Sequence, residues 1–215
     1  MSKYDYEVVA VIPARMGSSR FPGKPIKLIN GKPMIQYIFD TCRNCPDISK
    51  TIIATCDDEI KDVAESFGAE VVMTSPKHER CTDRVAEAVE NINTNIVVVM
   101  QGDEPMVTSE MISQAIQALK ENPDAFTVNL ISKIEDVNEI DDPNEVKVVK
   151  SINNNALYFS RTGLPSFAKS KDSQVFSYKQ ICVIPMKKEN LLLFNQLTPT
   201  PLEEIESVDM LRVLE

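Results

Sequence analysis

The sequence predicts an α/β fold built on a doubly wound, mostly parallel sheet, and three observations carry that expectation. Short β-branched apolar runs alternate with segments of helical spacing through residues 1–125. Two of the runs, Val8-Val9-Ala10-Val11-Ile12 and Ile96-Val97-Val98-Val99-Met100, are apolar at every position, which marks strands buried on both faces. Each leads into a loop carrying charge and glycine, and sheets of this class bind ligands at the carboxyl ends of their strands.

Val8 to Ile12 reads as the first strand, stopped at Pro13, and the Gly-, Ser- and Arg-rich stretch from Ala14 to Lys24 has no regular periodicity. Pro33 to Cys42 places Met34, Ile35, Ile38, Phe39 and Cys42 on one helical face. Lys50 to Cys56 reads as a second strand, Glu59 to Phe67 as a helix ended by Gly68, and Ala69 to Thr74 as a third strand. A helix carrying Val85, Ala86, Ala88 and Val89 precedes the strongest strand, Ile96 to Met100. Beyond residue 126 crossovers become scarce. Phe126 to Ile131, Val146 to Val149, Ala156 to Arg161 and Tyr178 to Pro185 read as strands, and Lys188 to Leu197 as a helix. This half is expected to extend the sheet and wall off a substrate site within one domain spanning 1–215.

Bulk properties narrow the function classes. A net charge of -9 argues against a duplex nucleic-acid binder, which needs a basic face to neutralise phosphates. The apolar runs are far shorter than the ~20 residues needed to cross a bilayer, so a cytoplasmic protein without membrane insertion is expected. Five dispersed cysteines fit reduced thiols better than a disulfide framework, and the lone Cys42-x-x-Cys45 pair is a weak metal or redox signal. A single histidine, His78, excludes a multi-histidine metal centre.

Three segments carry chemistry. Arg15, Arg20 and Lys24 share the loop after the first strand with Gly17, Ser18, Ser19 and Gly23, and cations, hydroxyls and glycine-freed backbone together suit a phosphate cradle. The spacing is not that of a Walker loop, which disfavours an ATPase of that type. Gln101-Gly102-Asp103-Glu104-Pro105 puts carboxylates just past the strongest strand; Asp103 suits a magnesium ligand, and the same block equally suits a tight turn. In His78-Glu79-Arg80-Cys81-Thr82-Asp83-Arg84, which opens a helix, Thr82 or Asp83 is placed to cap it and Arg84 to meet a carboxylate or phosphate.

These blocks, with Gly31-Lys32-Pro33-Met34-Ile35, Val146-Lys147-Val148-Val149, Ala156-Leu157-Tyr158-Phe159-Ser160-Arg161 and Pro201-Leu202-Glu203, occur in the order seen in the 3-deoxy-manno-octulosonate cytidylyltransferase family, which the chain resembles over nearly its whole length. The resemblance implies a Rossmann-like nucleotide-diphospho-sugar transferase fold with a mostly parallel, mixed sheet flanked by helices. It implies a nucleotide-binding portion over 1–125, a sugar-binding and dimerisation portion over 126–215, and a homodimer using CTP, Mg2+ and an acidic sugar of lipopolysaccharide. Carried over, Arg15 and Lys24 bind the CTP phosphates, Ala14, Gly17, Ser18 and Ser19 shape the nucleotide loop, and Arg84 lies near the nucleotide or sugar carboxylate. Asp103 holds Mg2+, while Gln101, Tyr158, Arg161, Gln180 and Glu203 line the sugar side.

The sequence departs from the family in three places. Arg80-Cys81 replaces a small Ser-Gly pair, and Gln180 replaces a sugar-contacting histidine in Lys179-Gln180-Ile181-Cys182. The family's C-terminal segment, bearing a second metal-binding aspartate, has no counterpart up to Glu215. The first two departures leave open an amino-substituted octulosonate or a sialic-type acid as acceptor; the third leaves open a fragment of a longer chain, a water or another carboxylate in place of that ligand, or a catalytically weak CTP-binding protein.

Overall fold

The computed structural model describes residues 5–17, 21–78, 80–169 and 176–215. Its elements run β1 (Tyr6–Ala14), β2 (Leu28–Ile29), β3 (Lys32–Pro33), α1 (Met34–Arg43), β4 (Lys50–Thr55), α2 (Asp58–Ser66), β5 (Glu70–Met73), α3 (Cys81–Val89), β6 (Thr94–Met100) and α4 (Ser109–Glu121). There follow β7 (Leu130–Lys133), β8 (Lys147–Lys150), β9 (Ala156–Ser160), β10 (Tyr178–Ile181), β11 (Val183–Lys187), α5 (Lys188–Gln196), α6 (Pro201–Glu206) and α7 (Leu211–Leu214). The chain forms two compact units, one comprising Met1–Asn129 with Cys182–Asn195, the other Leu130–Ile181 with Gln196–Glu215.

The first unit holds a five-stranded sheet in the order β11-β6-β1-β4-β5. Strands β6, β1, β4 and β5 are parallel, and β11 adds antiparallel to β6 with Val183 opposite Met100. The expected α/β class and mostly parallel mixed sheet are therefore present. Val8 to Ile12 is fully buried, as a central strand covered on both faces must be. Helix α1 buries Met34, Ile35, Ile38, Phe39 and Cys42, the face its spacing predicts. Each such side chain contributes roughly 1.5–3 kcal/mol of transfer free energy. Gly68, at φ 81°, ends α2 in the left-handed conformation that glycine adopts without strain.

The second unit departs from the expectation. Of the later strands only β11 extends the central sheet, while β7-β10-β8-β9 form a separate antiparallel sheet. The stretch read as one strand from Tyr178 to Pro185 is two strands in two sheets, changing over at Cys182. Phe126 to Ile131 is likewise divided: Thr127 makes an isolated bridge to Met186 and the regular strand begins at Leu130. Lys147 is fully buried here, its ammonium donating to the carbonyls of Asp142 (2.5 Å) and Glu145 (2.6 Å). Burial lowers its pKa, and the charges of Asp142 and Glu145 oppose that shift.

Among the described residues no helix is long and apolar enough to cross a membrane. All five cysteines are free thiols. Cys42 and Cys45 pack inside, and burial raises the Cys42 thiol pKa, with Cys45 adding to the effect.

Candidate active site

The loop following β1 is tied down at both ends. The Met16 backbone N–H donates to Asp57 Oδ2 at 2.8 Å and its carbonyl accepts from Gly23 N at 3.2 Å. Gly23, at φ 70°, has a conformation that side-chain-bearing residues rarely adopt, and a Cβ there would come within 3.3 Å of the Met16 methyl carbon. Lys24 then opens a short 3-10 turn, Lys24–Ile26, with Pro25 in its first turn. Arg15 and Gly17 are exposed, Ala14 is buried at the strand end, and Ser18 and Ser19 lie outside the described residues.

Opposite this loop, the turn after β6 brings Asp103 to Lys24, with Oδ2 2.8 Å from Nζ. The two side chains are 43% and 35% exposed, so the pair sits at the surface, open to small molecules. The turn lies close over β1: a Cβ on Gly102 would stand 3.5 Å from Ile12 Cγ2 and 3.7 Å from the Pro13 carbonyl. It is also held by Cys182, the residue before β11: the Gln101 N–H donates to the Cys182 carbonyl (3.3 Å) and the Cys182 N–H donates to Glu104 Oε1 (3.4 Å). Burial, reinforced by Glu104 and Asp103, raises the Cys182 thiol pKa well above its usual value. The structure thus gathers Lys24, Gln101 and Asp103 at the carboxyl ends of β1 and β6, where the fold rule places a ligand.

Arg84 lies at the start of α3. It is buried, donating through Nη1 to Thr74 Oγ1 and more distantly to the Ser75 carbonyl (3.5 Å). His78 is engaged with Glu87, whose carboxylate also accepts the Ser75 N–H at 2.9 Å.

In the second unit, the Tyr158 hydroxyl donates to Glu206 Oε1 at 3.2 Å, and burial followed by that carboxylate raises the phenol pKa. Arg161 is spent on backbone carbonyls, those of Glu206 (2.6 Å), Pro143 (2.8 Å) and Ser207 (3.1 Å). Gln180 is half-buried in β10, its N–H donating to the Val146 carbonyl. Glu203 is the buried member of the residues that the resemblance carries over to the sugar side. It is completely buried, takes two hydrogen bonds from Arg212 (2.6 Å from Nε, 2.5 Å from Nη2) and accepts the Thr200 N–H at 3.3 Å. These bonds tie α6 to α7.

Sequence reasoning missed Asp57, an acidic residue one position beyond the strand read from Lys50 to Cys56, which was the available signal.

The fold and this charged strand-end cluster define a nucleotidyltransferase, and the comparisons with known proteins agree. The cytidylyltransferase family model matches residues 9–215. The chain is 38% identical to the 3-deoxy-manno-octulosonate cytidylyltransferase of Geobacter metallireducens, covering 97% of this chain and 86% of that one. It is 40% identical, over 97% and 86%, to the 8-amino-3,8-dideoxy-manno-octulosonate cytidylyltransferase of Shewanella frigidimarina. A solved CMP:2-keto-3-deoxy-manno-octonic acid synthetase complexed with CTP superposes with a TM-score of 0.89 at 32% identity, over 97% of this chain and 85% of that one. The chain belongs to the cytidylyltransferase family.

Proposed function

We propose that the protein transfers CMP from CTP to the anomeric hydroxyl of 3-deoxy-manno-octulosonate, giving the CMP-sugar and pyrophosphate. The observation that carries the reading is the meeting of Lys24 and Asp103 across the carboxyl ends of β1 and β6. The names of the relatives supply the acceptor. The sugar oxygen attacks the α-phosphorus in line, the bond from that phosphorus to the bridging oxygen of the β-phosphate breaks, and the hydroxyl proton is lost to solvent. Arg15 and Lys24 neutralise the triphosphate and align it, with Ala14, Gly17, Ser18 and Ser19 shaping the loop around it. Positioning and charge neutralisation supply most of the acceleration.

Cytidylyltransferases generally work with a divalent metal. Asp103 presents a half-exposed carboxylate of the hard-oxygen type that Mg2+ prefers. Asp103 would hold Mg2+ as a single protein carboxylate, an arrangement that would leave positions for phosphate oxygens and water. When bound, Mg2+ supplies charge neutralisation at the phosphates.

Gln101, Tyr158, Arg161, Gln180 and Glu203 are assigned to the sugar side by the family resemblance, and a homodimer working in the cytoplasm accords with the same likeness. A second reading, an 8-amino-substituted octulosonate as acceptor, is favoured by Gln180 and by the Shewanella frigidimarina relative. The test is pyrophosphate release: we expect it to require CTP, Mg2+ and the sugar acid together and to vanish in Asp103→Ala. Release that persists in that variant would refute the assignment of Asp103.

A further inference from the structure

We propose that Asp57 is a positioning residue that holds the nucleotide loop in its binding shape before CTP arrives. The inference rests on the reading of that loop as the triphosphate site. Asp57 occupies the N-cap of α2, where an aspartate ordinarily bonds the first turn of its own helix. Here the side chain makes no such bond. Its Oδ2 instead accepts the backbone N–H of Met16, 41 residues earlier in the chain, at 2.8 Å. A local cap has been given up for a tie to the loop of the neighbouring strand.

The tie is anchored from behind. The Asp57 N–H donates to Thr55 Oγ1 at 3.1 Å, and the Thr55 carbonyl accepts both the N–H (2.8 Å) and the hydroxyl (3.1 Å) of Thr74. Thr74 Oγ1 in turn accepts from Arg84. Thr55, Thr74 and Arg84 are all buried, so the chain of bonds runs through an interior where polar groups hold a single arrangement. It links the ends of β4 and β5 to α3, and its outer end is the Met16 amide. Because the Met16 carbonyl accepts from Gly23, fixing the amide also fixes the return of the loop to Lys24.

A carboxylate near a triphosphate site repels the ligand unless something else requires it. The hydrogen bond to Met16 is that requirement, and only an acceptor is needed, not a charge. Binding sites whose donors are held in place before the ligand arrives avoid an ordering cost on binding. Asp57→Ala removes the acceptor, whereas Asp57→Asn keeps one through its amide oxygen.

The test is CTP affinity by calorimetry, steady-state kinetics, and hydrogen exchange at the Met16 amide, in wild type, Asp57→Ala and Asp57→Asn. We expect Asp57→Ala to weaken CTP binding about tenfold, equivalent to about 1.4 kcal/mol, and to raise KM for CTP while leaving KM for the sugar acid unchanged. Met16 exchange should accelerate at least tenfold. Asp57→Asn should return all three readouts to within about threefold of wild type, which a purely electrostatic role would not allow. CTP affinity of Asp57→Ala within twofold of wild type, or Asp57→Asn as weak as Asp57→Ala, overturns the proposal. If wild type itself does not bind CTP, the functional reading fails instead, and Met16 exchange still decides whether Asp57 holds the loop. Should Asp57→Ala not fold, Thr55→Val against Thr55→Ser asks the same question one bond further back. Unchanged Met16 exchange in folded Thr55→Val would overturn the network.

Discussion

Replacing Glu203 separates a structural carboxylate from a substrate ligand. In Glu203→Ala the Arg212 guanidinium loses both of its carboxylate bonds while remaining inside, keeping the Leu197 carbonyl at 3.2 Å. The two side chains are 0% and 3% exposed, so solvent offers little compensation. Removing one partner of such a pair typically costs about 3–5 kcal/mol, because it strands a buried charge. The Thr200 N–H, which donates to the same carboxylate, adds to the loss. For a chain of this size 1 kcal/mol shifts Tm by roughly 2–4 °C, so a fall on the order of 10 °C is expected in thermal unfolding followed by circular dichroism. The double variant Glu203→Leu with Arg212→Met removes the charge as well as its partner and should be more stable than Glu203→Ala. CTP affinity should hardly change, since the proposed nucleotide ligands all belong to the other unit. A Tm within about 2 °C of wild type, combined with a large rise in KM for the sugar acid, would refute this reasoning and return Glu203 to the sugar.

The Lys24 and Glu87 sites yield two further expectations. The exposed Lys24–Asp103 pair should contribute no more than about 1 kcal/mol to stability, so Lys24→Ala should leave Tm nearly unchanged while kcat/KM for CTP drops at least about hundredfold, as lost contacts to a charged phosphate require; paired unfolding and kinetic measurements check this. Glu87 is held below the ordinary carboxylate pKa of 4.5, chiefly by the Ser75 N–H and also by His78. A depressed folded pKa means its stabilisation is complete above about pH 4.5 and fades as the pH falls through the lowered value. Ser75 amide protection should therefore fall on acidification in wild type and be weaker, with less pH dependence, in Glu87→Gln, as hydrogen exchange would show.

Much of the first unit was legible because its signals are local. Fully apolar β1 and β6, the helical face of α1 and the Gly68 stop each declare themselves within a few residues. Helix α4 escaped reading although Thr108 caps it, and α6 escaped although Thr200 and Glu203 carry the T-x-x-E spacing with Pro201 at the first helical position. The change of sheets at Cys182 was hidden because Ile181-Cys182-Val183-Ile184 runs across it without a glycine or a charge to mark it. In the site, the meeting of Lys24 with Asp103 followed from strand-end logic. The Glu203–Arg212 pair and the Asp57–Met16 bond did not, because a charged residue gives no sign in sequence of whether its partner is a ligand or its own chain.

The most direct test of the central claim is mass spectrometry of products from CTP, Mg2+ and, in separate reactions, 3-deoxy-manno-octulosonate, its 8-amino analogue and a sialic-type acid. We expect a CMP adduct of an octulosonate, with pyrophosphate in equal amount. No adduct with any of the three acids, from protein that binds CTP, would contradict the account.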